Sequence, residues 1–113
     1  MRDTERVIQV AIAQYLDMRR ICWWAIPNGG NRNIITATKL KAEGVKSGVP
    51  DIAIVHEGQA FFLEVKKPKT DTPKGRLSDN QKIMIKRIEK AGGEVSVVYS
   101  VADVINQLIK WKI

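Results

Sequence analysis

Residues 51–66 read DIAIVHEGQAFFLEVK. Two runs rich in β-branched and aromatic residues, Asp51 to His56 and Gln59 to Lys66, meet at Glu57-Gly58, where a glycine supplies the positive φ that a tight hairpin turn requires. With Glu57 and Gly58 as the two turn residues, His56 faces Gln59 and, counting back along the ladder, Asp51 faces Glu64. Directly opposed residues project to one face with Cβ atoms about 4.5–5.5 Å apart, and Lys66, two residues on, shares that face. Two carboxylates and an ammonium therefore converge at one end of the hairpin. Like charges opposed across a ladder are destabilising, so a counter-ion is expected between them. A divalent cation with oxygen ligands fits that need. Mg²⁺ in particular is held by one or two carboxylates while it keeps water and meets substrate phosphate, and Mn²⁺ is its natural substitute. Lys66 then stands where it orients an attacking water or screens charge developing on phosphorus. Judged on charges alone, a Lys-Glu ion pair on a solvated face is the commoner outcome of such a pattern.

Outward from the hairpin, the periodicities fill in the rest of the chain. Ile8, Ala11, Ile12, Tyr15 and Leu16 recur at i, i+3/i+4 spacing and predict a helix over Thr4 to Arg19, capped by Asp3 or Thr4. Ile21 to Ile26 suits a buried strand ended by Pro27-Asn28-Gly29-Gly30. Thr36 to Glu43 predicts a short helix closed by Gly44, and Val45 to Pro50 a Gly/Pro-punctuated loop. Beyond the hairpin, a polar loop runs from Lys67 to Leu77, and Ser78 opens a helix to Ala91 that stops at Gly92-Gly93. Glu94 to Tyr99 is a further strand, and Ser100-x-x-Asp103 is a capping box for a last helix over Val101 to Lys110. The fold class expected is α/β, a central mixed sheet flanked by helices in the order α-β-(α)-β-β-α-β-α, in a single domain spanning residues 1–113.

Composition bounds the function. The chain has 113 residues, 44% hydrophobic and 27% charged, which is the balance of a globular protein and not of a disordered one. No run reaches the roughly 18 apolar residues of a membrane span and the first residues lack the apolar core of a signal peptide, so a cytoplasmic protein with no membrane partner is expected. Cys22 is the one cysteine, which removes disulfide frameworks and Cys/His zinc sites; its apolar neighbours Ile21 and Trp23 predict a buried thiol. A net charge of +7 favours an acidic partner. No GxxxxGK[ST] or GxGxxG loop is present, which sets nucleotide-binding α/β folds aside.

Three short segments carry a family resemblance: Gly48-Val49-Pro50-Asp51, Phe62-Leu63-Glu64-Val65-Lys66, and Leu77-Ser78-Asp79-Asn80-Gln81. They look like the PD, ExK and following-helix Gln motifs of the VRR-NUC (virus-type replication-repair nuclease) family within the PD-(D/E)xK superfamily, and the resemblance covers nearly the whole chain. It implies a metal-dependent endonuclease in which Asp51 and Glu64 ligate the metal, the Val65 carbonyl adds a ligand and Lys66 is the catalytic lysine. Glu5 resembles the acidic residue such enzymes aim at the same site from the first helix; it equally suits a first-turn Glu that complements the helix dipole. Gln81 resembles the family's active-site Gln, and Ser78-x-x-Gln81 is also a capping box, two roles that are compatible. The rival reading from another class is a non-catalytic DNA-binding module on the same fold; the intact Asp51, Glu64 and Lys66 set favours the enzyme.

DNA is the partner these features imply. From Lys66 to Lys90 nine basic residues face three acidic ones, and Lys67, Lys69, Lys74 and Arg76 crowd the loop after the ExK strand, a phosphate-tracking surface. Arg32, in the loop Asn28-Gly29-Gly30-Asn31-Arg32-Asn33, is a further candidate contact. Lys82, Lys86, Arg87 and Lys90 suit a solvated helix face as well as a DNA surface. Of Trp23 and Trp24, at least one is expected in the core, and His56 is read as a bystander. No recognition helix or zinc finger is apparent, so structure-selective cutting is expected over sequence-specific cutting. One such site cuts one strand, which leads to the expectation of a homodimer acting on branched DNA such as four-way junctions, with Trp23, Trp24, Trp111 and Ile113 as candidate contacts.

Overall fold

The computed structural model describes residues 4–27, 34–68 and 76–113. Along the chain lie α1 (Thr4–Met18), β1 (Cys22–Ala25), α2 (Ile34–Ala42), β2 (Ile52–His56), β3 (Gln59–Val65), α3 (Asp79–Lys90), β4 (Glu94–Val98) and α4 (Val101–Trp111). This is the expected order, with the bracketed helix present as α2. The proposed Asp3 cap and the Asn28 to Asn33 loop lie outside the described residues.

The hairpin forms in the register its turn dictates. Glu57 and Gly58 both take positive φ, 48° and 80°, the pairing that matches the natural twist of two joined strands. His56 then faces Gln59 and the ladder runs back to Ile52 opposite Leu63. Around this hairpin the sheet grows in the order β1-β2-β3-β4, with β1 antiparallel to β2 and β4 parallel to β3. The parallel pair is reached through α3, since parallel neighbours need a long crossover.

Strand alternation gives the sheet two different faces. Ile52, Ile54, Phe61, Leu63, Val65 and Val98 point to one side and meet Ile12 and Leu16 of α1 and Val104 and Leu108 of α4, forming the buried core. Trp111 lies against Phe61 with ring centroids 4.8 Å apart, and Ile113 also packs on this core. The alternate positions, Phe62 and Glu64 among them, turn to the α3 side. Ser78 caps α3 in a reciprocal capping box with Gln81. At α4 the cap is divided differently: Ser100 Oγ accepts from the Asp103 N–H, while the Asp103 carboxylate takes the Tyr99 N–H instead of that of Ser100.

The first strand departs from expectation. β1 lies at the sheet edge with most of its side chains exposed, and Cys22 is exposed where a buried thiol was expected. An apolar run reads alike in a central and an edge strand; here β1 is the edge of the sheet and pairs on one side with β2. Trp23 packs half-buried against the core with its Nε1 donating to Asp17 Oδ1 at 2.8 Å, whereas Trp24 is 50% exposed. No described helix is long and apolar enough to cross a membrane.

Between α2 and β2 the chain runs tightly against α3. Gly48, at φ 80°, lies against the Asn80 carbonyl and Gln81 N–H of α3, so that a Cβ at this position would collide with main chain. The contact is tied by Asn80 Nδ2 donating to Ser47 Oγ at 3.0 Å. Only glycine combines that φ with that proximity. Gly48→Ala is expected to cost about 1–3 kcal/mol or more, which would lower Tm by at least about 4 °C in a chain of this size. Gly58→Ala, also at positive φ but in open space, should cost less. Thermal melts of both variants check this, and equal destabilisation of the two would show that the Gly48 contact is not special.

Candidate active site

Asp51 sits one residue before β2, held on both sides by main-chain bonds. Its N–H donates to the Leu63 carbonyl at 3.1 Å, and its carbonyl accepts from the Ile26 N–H at 2.7 Å. The strict ladder thus ends at Ile52, and Asp51 is displaced from its expected position directly opposite Glu64. Its side chain takes over the pairing: Oδ2 accepts the Val65 N–H at 2.7 Å. This fixes the carboxylate beside β3 at the point where Glu64 and Lys66 emerge. Pro50, fully buried, anchors the approach to it.

Glu64 is 2% exposed and Lys66 9%. The solvated face that charges alone would suggest is therefore not what forms: α3 covers Glu64 on this face of the sheet and brings Gln81 against it, while Asp51 stays half-buried. Gln81 Nε2 donates to Glu64 Oε2 at 3.2 Å, while its Oε1 accepts the Ser78 N–H at 2.8 Å. One side chain thus both closes the capping box of α3 and reaches Glu64. Glu64 Oε1, fully buried, has no hydrogen-bond donor among the described residues. An orphaned oxygen of this kind costs free energy unless something else pairs it.

Electrostatics agree with the geometry. The Glu64 carboxyl is pushed up from about 4.5 to about 9, first by burial, then by the hydrogen bond and charge of neighbouring Asp51, with Glu5 adding slightly; Lys66 opposes the shift. Burial and a like charge disfavour the ionised form, and a cation between the carboxylates would reverse both effects.

Two clefts open from this point and Asp51 lines both. One, of about 820 Å³, runs between α2 and α3 past Gly48, Asn80 and Gln81. The other, of about 680 Å³, lies along α1 and β1 and includes Glu5, Trp23 and Val65. Glu5 thus shares a cleft with Asp51 and Val65, but no group of three His, Cys, Asp or Glu among the described residues is placed to hold a metal by itself. The donors at hand are two carboxylates, hard oxygens that suit a cation keeping several waters.

Of the expected DNA contacts, Lys67 directly follows the site and is half-buried, and Arg76 is exposed just before α3; Arg32, Lys69 and Lys74 lie outside the described residues. His56 Nε2 lies 3.1 Å from the carboxylate of its neighbour Glu57. Sequence reasoning missed the Ser47-Asn80 tie and the cleft residues Lys41 and Lys46. Their pattern carries no signal of its own, since only the folding of the Gly48 turn onto α3 brings them to the site.

The VRR-NUC domain family model matches residues 3–102. Among solved structures, one described as a VRR_NUC domain protein superposes with a TM-score of 0.75 at 21% identity, covering 97% of this chain and 88% of that one. A second, described as a VRR_NUC domain, gives a TM-score of 0.64 at 24% identity over 96% of this chain and 97% of that one. These structures share the fold. No curated protein matches the chain.

The raised pKa of Glu64 makes metal-free stability depend on pH. A carboxyl whose folded pKa lies above its unfolded one contributes stability that is complete below about 4.5 and is lost as pH rises through about 9. In EDTA, Glu64→Gln, which keeps the shape and removes the charge, should raise Tm over the parent at pH 8 by about 4 °C or more, given the usual conversion of roughly 4–8 °C per kcal/mol. The two proteins should converge near pH 4. A Tm difference that does not change with pH would show that Glu64 is not the strained carboxyl described.

Proposed function

The chain belongs to the VRR-NUC family, a nuclease family of the PD-(D/E)xK fold, and from that premise we propose that it hydrolyses DNA phosphodiester bonds with a Mg²⁺ ion held by Asp51 and Glu64. The observation that carries this reading is Glu64 Oε1: a buried carboxylate oxygen without a donor, beside a second carboxylate. A buried carboxylate set beside a second, half-buried one is costly as structure alone. A module that only bound DNA would have no use for it, whereas a metal site does.

Within this proposal the Val65 carbonyl completes the ligand set and Glu5 adds a carboxylate from the α1 side of the cleft. When bound, the cation supplies Lewis-acid polarisation of the scissile phosphate and activation of a water; Mn²⁺, with the same oxygen preference, substitutes. Asp51 keeps its orientation through the Val65 N–H. Gln81 is a positioning residue: by donating to Glu64 Oε2 it leaves Oε1 as the free ligand atom. Lys66, close enough to Glu64 to affect its ionisation, holds the attacking water or offsets charge developing on the phosphoryl oxygens. Lys67 and Arg76, with Arg32, Lys69 and Lys74, contact the DNA backbone.

We further propose a homodimer that cuts branched DNA, with four-way junctions preferred. One site cuts one strand, and a two-fold pair of sites matches the near two-fold symmetry of a junction. Trp23, Trp111 and Ile113 pack half-buried against the core and drop out as leading dimer contacts; of the four, Trp24, exposed on edge strand β1, remains.

Because Glu64 and Lys66 are buried, shape-preserving variants separate chemistry from folding. Asp51→Asn, Glu64→Gln and Lys66→Met should each lower metal-dependent cleavage by at least about 10²–10³-fold while circular dichroism and metal-free DNA binding stay near the parent. Cleavage by Lys66→Met at the parent rate would remove Lys66 from the chemistry. For the assembly, light scattering at micromolar concentration should give a dimer, and junctions should be cut faster than flaps, single strands or plain duplex. A monomer that nicks flaps or single strands and ignores junctions would overturn that part.

A further inference from the structure

We propose that the cleft between α2 and α3 is a track for one DNA strand, which lies with its phosphates on Lys41, Lys46 and Arg87 and leads the scissile phosphate to Asp51. The inference rests on the nuclease reading and adds a binding surface distinct from the loop after β3.

Charge complementarity is the first argument. All three cations line the cleft, all three are exposed, and none has an ion pair with a described residue. The sole acidic residue in the lining is Asp51, at the end that meets the metal-binding carboxylates. A concave surface of one sign between low-dielectric walls focuses its field and draws in a polyanion. In the cleft on the other side of Asp51, Glu5 and Arg6 balance each other, so no comparable field builds there. The asymmetry gives the substrate a preferred side of approach.

The shape supports the same occupant. A volume of about 820 Å³ holds a short stretch of strand and not a folded partner. Leu40, Val45, Ile83 and Met84 supply apolar wall for sugar and base faces, while Ser47 and Asn80 offer polar groups at the floor. A second copy of this chain is a poor fit, because it would bring another +7 chain against the same unpaired cations.

Binding in EDTA isolates the inference from catalysis. In an Asp51→Asn background, fluorescence anisotropy of labelled single-stranded and duplex DNA across a salt series compares two triple variants. One is Lys41→Gln, Lys46→Gln, Arg87→Gln; the other is Arg20→Gln, Lys110→Gln, Lys112→Gln, three exposed cations that do not line the cleft. Both lower the net charge by the same amount, so any effect of overall charge is shared. The cleft triple should flatten log K against log[salt] by about 2 units, at roughly 0.7–0.9 for each phosphate no longer neutralised, and the other by much less. Equal changes in the two, or an unchanged slope in the cleft triple, overturns the track. So does a shift in oligomeric state of the cleft triple with binding intact, which would make the surface a contact between copies. The nuclease reading is tested separately: persistent cleavage by Asp51→Asn would defeat it without altering the binding comparison.

Discussion

A single hydrogen bond, from the Val65 N–H to Asp51 Oδ2 at 2.7 Å, decides how the two motifs of this protein meet. A regular ladder would run on, with Asp51 facing Glu64 as an ordinary cross-strand pair. With this bond, a side chain replaces a main-chain acceptor, the antiparallel pairing stops at Ile52, and the carboxylate is held at a fixed angle to β3. Everything that makes the site a site follows from that exchange. Pro50 is buried behind it, Gly48 folds against α3 to let the chain arrive there, and α3 in turn delivers Gln81 to Glu64.

The site is assembled at a cost that the rest of the fold covers. Glu64 is placed in the sheet at a position that an apolar residue would fill more stably, between Leu63 and Val65, both in the core. Its companions do not neutralise it: Asp51 worsens its ionisation and Lys66 only moderates it. The opposite face of the sheet, where α1 and α4 close over six strand residues, is correspondingly apolar and sealed. One face of the sheet is given to stability and the other to chemistry, a division that strand alternation makes possible because neighbouring residues of one strand serve opposite purposes.

Much of this was legible in the residues. The turn at Glu57-Gly58 is written locally, since two positive φ angles are nearly a property of the dipeptide, and once it is placed the register follows to Ile52. The helices announce themselves through periodicity and through Ser78 and Ser100, whose caps are local chemistry. What escaped is what depends on distant contacts. Cys22 read as core because an apolar run looks the same in a central and an edge strand; of the two tryptophans, Trp23 packs on the core, as expected of at least one, and Trp24 does not. The burial of Glu64 and Lys66 was hidden for the converse reason: charge patterns suggest solvent, and only the docking of α3 shows otherwise. The displacement of Asp51 from the ladder was equally invisible, because a side chain substituting for main chain leaves no mark on spacing.

α2 carries a consequence for the timing of events in this molecule. None of its nine residues is buried, and Ile34 and Ile35 stand 84% and 72% exposed. A helix of that length is shorter than the about 12–15 residues at which an isolated helix begins to hold itself together in water, and little tertiary packing makes up the difference. Its amide protons should therefore exchange with solvent far sooner than those of β2 and β3, through local opening that leaves the sheet intact. One wall of the cationic cleft is thus weakly tied to the rest of the fold. Any ligand that needs that wall in place gives up part of its binding free energy to the ordering of α2, and in return fast opening gives the strand a way out.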